Sequence, residues 1–122
     1  MQNRIDIRTR LSSFKYAGRG FLQMLCSQQN AWIHALATVA VIAAGFWTGL
    51  DAVEWCLIVL AIVLVWMAES FNTALEFLAD AALPQYHPLI GKAKDVAAGA
   101  VLIVSLGAVV IAGLVFIPYF CQ

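Results

Sequence analysis

Charge is scarce in this sequence. Asp, Glu, Lys and Arg make up 11% of its 122 residues, against about a quarter in ordinary soluble domains. Seven Lys+Arg balance seven Asp+Glu, which excludes a polycationic nucleic-acid binder. The three cysteines, Cys26, Cys56 and Cys121, lack metal-ligand spacing. Free lipid-facing thiols are expected, the alternative being a bridge between Cys56 and Cys121. No internal repeat or low-complexity tract is present. Lys92 follows Gly91, but no glycine-rich cradle precedes it and no Ser or Thr follows, so there is no Walker A motif. Protein-kinase signatures are absent too. The first 30 residues hold no continuous apolar core followed by a small-residue cleavage pattern, so no secretory signal is expected.

Apolar residues are what the sequence has in excess. They reach 63%, with a mean hydropathy of +0.88. A single domain of this length has too little interior to hide them from water, which excludes a soluble multidomain enzyme and a disordered chain. Three tracts are long enough to cross a bilayer, which takes about 20 residues each. Ala31 to Leu50 carries His34 as its sole titratable group, the tract from Val53 is apolar from Trp55 to Ala68, and Val96 to Phe120 has no charge. The expected fold is an all-α membrane protein, one domain over residues 1–122. It has a surface helix at about 12–27 and transmembrane helices at about 31–50, 53–79 and 95–118. Gly45 with Gly49, and Ala108 with Ala112, form small-xxx-small pairs suited to close helix contact.

Orientation follows from the basic residues. Arg4, Arg8, Arg10, Lys15 and Arg19 precede the first span, and Lys92 and Lys94 lie between the second and third. The positive-inside rule makes both segments cytoplasmic and puts the turn at 50–54 and the C-terminus on the far side. In Ser12 to Leu25, Phe14, Phe21, Leu22 and Leu25 share one side of a helix, with Lys15 and Arg19 off it. That pattern suits a helix lying in the interface, as an anchor or as one wall of an active site.

The second span ends unusually. Glu69, Asn72, Thr73, Glu76 and Asp80 are offset by 3, 4, 7 and 11 residues, which puts them on one helical face. Sixteen residues from Val53 to Ala68 cover about 24 Å, so Glu69 sits near the boundary of the hydrocarbon. Snorkelling at a helix end accounts for Asp80 and passably for Glu76, but poorly for Glu69, Asn72 and Thr73 on the same stripe. Such groups normally face a protein interior or a wet cavity. Pro84, Pro88 and Gly91 mark a short structured loop, and Lys94 and Asp95 are expected where the third span begins, at the depth of the stripe. The lysines there either neutralise carboxylates or bind phosphate. Carboxylate and amide oxygens suit Mg²⁺, lysines suit a transferring phosphate, and a carboxylate at this depth can take a proton from a lipid hydroxyl.

At these residues the sequence resembles the prokaryotic diacylglycerol kinase and undecaprenol kinase family, from about Phe14 to Pro118. Glu69-Ser70-Phe71-Asn72-Thr73-Ala74-Leu75-Glu76, with Asp80 following, carries the resemblance most specifically. Tyr86-His87-Pro88 and Gly91-Lys92-Ala93-Lys94-Asp95 through Leu102 come next. Ala17 with Gly20-Phe21, and Asn30 to His34, match more weakly. The resemblance implies a homotrimeric lipid kinase of the bacterial cytoplasmic membrane, with Mg²⁺ and ATP as phosphoryl donor. Its acceptor would be undecaprenol or diacylglycerol, the former matching slightly better at His87-Pro88 and Ala97 to Leu102.

Carried over by position, Glu69 is the general base and Asn72 supports it. Glu76 binds metal. Lys94 and Asp95 contact nucleotide phosphates, and Tyr16, Arg10, Glu76 and His87 fall on the nucleotide side. Gly20, Trp32, Ala98 and Glu69 fall on the lipid side. Two positions depart. Gln28 stands where relatives often have a metal-ligating glutamate, and Trp32 where many have a basic residue. Gln28 therefore keeps a second reading open, a non-catalytic member that binds nucleotide or lipid. An ion pathway is disfavoured, because His34, Thr38, Thr48 and Ser105 form no continuous polar face.

Overall fold

The computed structural model describes residues 6–122. They form four helices, α1 (Ile7–Ser27), α2 (Gln29–Thr48), α3 (Ala52–Ala82) and α4 (Pro88–Phe120). Arg4 lies outside the described residues. Helices α2, α3 and α4 are each long and apolar enough to cross a membrane. The chain is thus an all-helical membrane protein. At 1.5 Å per residue, the 31 residues of α3 and the 33 of α4 extend about 46 and 50 Å. Both outrun a hydrocarbon core of about 30 Å, so each can carry polar groups at its ends.

Local chemistry sets the breaks. Asp6 caps α1 by accepting from the Arg8 amide at 3.1 Å, which starts that helix at Ile7 instead of near 12. Gln28 is extended between α1 and α2 (φ −116°, ψ 121°). Gly49 ends α2 at φ 74°, in the left-handed region that a Cβ disfavours. Asp51 and Glu54 then form a reciprocal capping box that opens α3. One expectation is overturned outright: Pro88 to Gly91 are helix, not loop. His87 Nδ1 accepts from the Leu89 amide at 3.2 Å, and Pro88 fills the first helical position, where its missing N–H costs nothing. Lys94 and Asp95 consequently lie about two turns inside α4, and α3 runs three residues beyond the expected end at 79.

Helix α4 packs most extensively against α3, and polar ties mark both ends of the pair. The Tyr119 hydroxyl donates to Glu54 at one end, and Lys94 Nζ lies 2.6 Å from Asp80 Oδ1 at the other. Between them Leu50, Ile58 and Val115 form a small buried cluster, with Val41, Trp55 and Ile111 packed against it. Most large apolar side chains point outward, among them Trp47, Phe46 and Leu114. Cys26, Cys56 and Cys121 are free and exposed, and the Cys56–Cys121 alternative is not realised. The two glycines of the Gly45/Gly49 pair do different work. A Cβ on Gly45 would come within 2.6 Å of the Trp55 ring, so its bare backbone seats the indole, whereas Gly49 serves the turn.

Gly45→Ala gains about 1 kcal/mol of helix propensity, while forcing a rigid indole to move costs about 1–3 kcal/mol. The expected net outcome in detergent is a lower thermal unfolding temperature, with Gly107→Ala, which meets no neighbour, unchanged or raised.

Candidate active site

The α3 stripe grades from dry to wet. Glu69 is 1% exposed, Thr73 3% and Asn72 7%, and these are the buried polar side chains among the described residues. Glu76 is half-buried and Asp80 exposed. Thr73 donates to the Glu69 carbonyl at 2.9 Å, a local bond that leaves the carboxylate untouched. Neither Glu69 oxygen has a hydrogen-bond partner, and Asn72 Oδ1 has none either. Buried polar atoms without partners are rare because each forfeits its hydration without return.

Two amides hold Glu76. Gln28 Nε2 donates to Oε2 at 2.9 Å and Asn72 Nδ2 to Oε1 at 3.4 Å. Gln28 reaches it from the break between α1 and α2, so that break fixes one wall of the site. His34 of α2 brings Nε2 to 3.5 Å from Glu69 Oε2. Glu69, Asn72 and His34 share a cavity of about 230 Å³ with Asn30, Ala98 and Ser105. A second cavity of about 290 Å³ adjoins it through Ile33, His34 and Ser105, and is lined mainly by apolar side chains such as Val41, Ile62 and Ala112. Glu69 thus faces a cavity of mixed lining, with Ile33, Val101 and Leu102 beside the polar groups, that continues into an almost wholly apolar one.

The anticipated residues divide. Glu69, Asn72, Glu76, Gln28 and Ala98 come together. Lys94 joins the exposed end of the stripe through Asp80, with Asp95 exposed beside it in the chain. Others stand apart: among the described residues no hydrogen bond or ion pair joins Arg10, Tyr16 or Trp32 to the stripe. Tyr16 is exposed beneath the Arg19 guanidinium, 5.8 Å from its ring centroid. Gly20 borders a different cavity, with Met24, Ser70 and Thr73. The His87 side chain caps α4. Trp32 is 65% exposed on α2. Sequence reasoning gave His34 no role, although a lone titratable group in an otherwise charge-free tract was the available signal.

Comparison with known proteins decides the family. The family model for prokaryotic diacylglycerol kinase matches residues 15–116. The chain belongs to the prokaryotic diacylglycerol kinase family. The undecaprenol kinase of Bacillus subtilis (strain 168) is 36% identical over 116 residues, 95% of this chain and 94% of that protein. The diacylglycerol kinase of Synechocystis sp. is 40% identical over 109 residues, 88% of this chain but 62% of that longer protein. The diacylglycerol kinase of Escherichia coli (strain K12) is 32% identical over 87 residues, covering 66% of this chain and 71% of that protein. The diacylglycerol kinase family match takes in every residue of the stripe, together with Gln28, His34, Lys94 and Asp95.

The Lys94–Asp80 pair is water-accessible at both partners, so it adds little to stability. Asp80→Asn is expected to leave the unfolding temperature nearly unchanged. A loss of several degrees would show that the pair holds α3 against α4.

Proposed function

We propose that this chain is a lipid kinase that transfers the γ-phosphate of Mg-ATP to the primary hydroxyl of a membrane lipid, undecaprenol or diacylglycerol. The observation that carries the reading is the partnerless Glu69 carboxylate, buried beside an apolar chamber. A lipid whose hydroxyl reaches Glu69 gives the stranded carboxylate a donor while its hydrocarbon stays out of water. Glu69 takes the hydroxyl proton, the oxygen forms its bond to the γ-phosphorus, and the β–γ bridging P–O bond breaks with its electron pair leaving on ADP. Lys94, at the exposed end, is placed to face phosphate once it exchanges Asp80 for nucleotide, with Asp95 next to it. Full-length similarity to an undecaprenol kinase favours the polyprenyl alcohol.

The donor set suits magnesium. Mg²⁺ is commonly held by one or two carboxylates together with substrate phosphates and its own waters. Glu76 supplies a carboxylate, and the Gln28 amide can turn its oxygen toward a cation. Among the described residues no three His, Cys, Asp or Glu side chains cluster, which suits a cation arriving with nucleotide better than a resident one. Bound there, the cation would neutralise phosphate charge.

The same reading places α1 and the 83–87 link on the cytoplasmic side of a bacterial inner membrane, with the C-terminus opposite. It also expects a homotrimer, which would cover part of the outward apolar surface. The Gln28–Glu76 bond supports a second reading, a member that binds nucleotide without transferring phosphate, since an amide engages an oxygen that a cation would need.

In mixed micelles with labelled Mg-ATP, label is expected on undecaprenol or diacylglycerol. Glu69→Gln should lose it by about 10²–10⁴-fold while still assembling. Transfer surviving in that variant removes Glu69 as base, and nucleotide binding without any transfer selects the second reading. Gln28→Glu sets two carboxylates against each other. Its unfolding temperature is expected to fall in chelator and to recover with Mg²⁺, while the parent changes little between the two.

A further inference from the structure

His34 is the sole titratable side chain of α2, and α2 brings it to the one carboxylate of α3 that is fully buried. Three observations mark the contact as built. First, Glu69 has no hydrogen-bond partner on either oxygen, and the imidazole approaches it to 3.5 Å. Second, the turn of α2 bearing His34 is fastened to α3. Trp66 Nε1 donates to Thr38 Oγ1 at 3.0 Å, and Thr38 Oγ1 donates to the His34 carbonyl at 2.7 Å. The Trp66 ring stands edge-on to the imidazole at 6.4 Å, and Phe21 of α1 backs that indole at 5.2 Å. Third, His34 and Glu69 line the same cavity with Asn72 and Ala98. A histidine kept only for packing would spend its ring nitrogens on backbone or hydroxyl groups. Among the described residues neither His34 ring nitrogen makes a hydrogen bond, and Nε2 is turned to the carboxylate.

We propose that His34 is the positioning residue for Glu69, its Nε2 edge holding the carboxylate aimed into the cavity. The proposal rests on Glu69 acting as the base. A hydrogen on Nε2 attracts the carboxylate it faces, whereas a lone pair there would repel it. At 3.5 Å the contact is electrostatic, and the carboxylate partner is 1% exposed. The proton from the lipid hydroxyl stays on Glu69 until product leaves.

The test uses the purified full-length chain, with His34→Leu to remove the N–H and His34→Gln to retain one. In the micelle assay His34→Leu is expected to lower kcat about tenfold, short of the roughly 10²–10⁴ carried by the base itself. KM for lipid and for ATP should stay within about twofold, and His34→Gln should recover most of kcat. A second readout needs no turnover. Dicyclohexylcarbodiimide, which consumes protonated carboxyls in apolar surroundings, is added without nucleotide or lipid, and mass spectrometry follows Glu69. Labelling is expected about tenfold faster in His34→Leu, where the carboxyl is no longer held by the imidazole, near the parent in His34→Gln, and unchanged at Glu76. If the leucine variant fails to fold, His34→Asn, too short to reach Glu69, takes its place with the same expectations. Equal Glu69 labelling in parent and variant, or a raised KM with kcat intact, overturns the proposal and makes His34 a packing or lipid-contact residue. Absence of transfer by the parent removes the kinase reading instead, and the labelling still decides the histidine.

Discussion

A carboxylate held at 1% exposure with no hydrogen bond to either oxygen is the constraint around which this protein is arranged. Leaving it so costs stability that a small helical bundle can barely spare. The neighbourhood limits the cost without removing it. Asn72 and Thr73 satisfy their own donors locally, on Glu76 and the Glu69 carbonyl, and His34 supplies an electrostatic contact. What is left unsatisfied is the face that opens on the cavity. The unmet hydrogen-bonding capacity of Glu69 is thereby concentrated on that one face.

The lengths of α3 and α4 follow from the same need. A span just long enough for the bilayer would leave nowhere for a polar stripe except inside hydrocarbon. By overrunning the membrane, α3 carries its face from a dry position at Glu69 through a half-buried Glu76 to an exposed Asp80. One helix thus presents a dry carboxylate at one end and a water-exposed one at the other. The break at Gln28 completes the arrangement, since it brings an amide from the start of α2 onto the wet half of the stripe.

The spans and the stripe were legible because both are periodic signals within one segment. Nineteen uncharged residues beside a single histidine announce a membrane helix, and offsets of 3, 4, 7 and 11 announce a face. The start of α4 was misread for a physical reason. Proline and glycine weaken a helix interior, but proline is well suited to its first turn, and composition alone does not say which applies to Pro88. The partners of Gln28 and His34 were illegible for another reason. Gln28 meets Glu76 across 48 positions, and His34 meets Glu69 across helices, pairings that depend on packing and not on local spacing.

The two ties between α3 and α4 are unequal, and this gives the pair a mechanical sense. Tyr119 and Glu54 meet in a part-buried bond, with Glu54 further fixed by its own capping box. Lys94 and Asp80 meet in water. Water competes for the second tie far more than for the first. Of the two ties, the one at the Lys94 end therefore costs less to part. The weaker tie lies at the wet end of the stripe and the part-buried one at the far end of the pair.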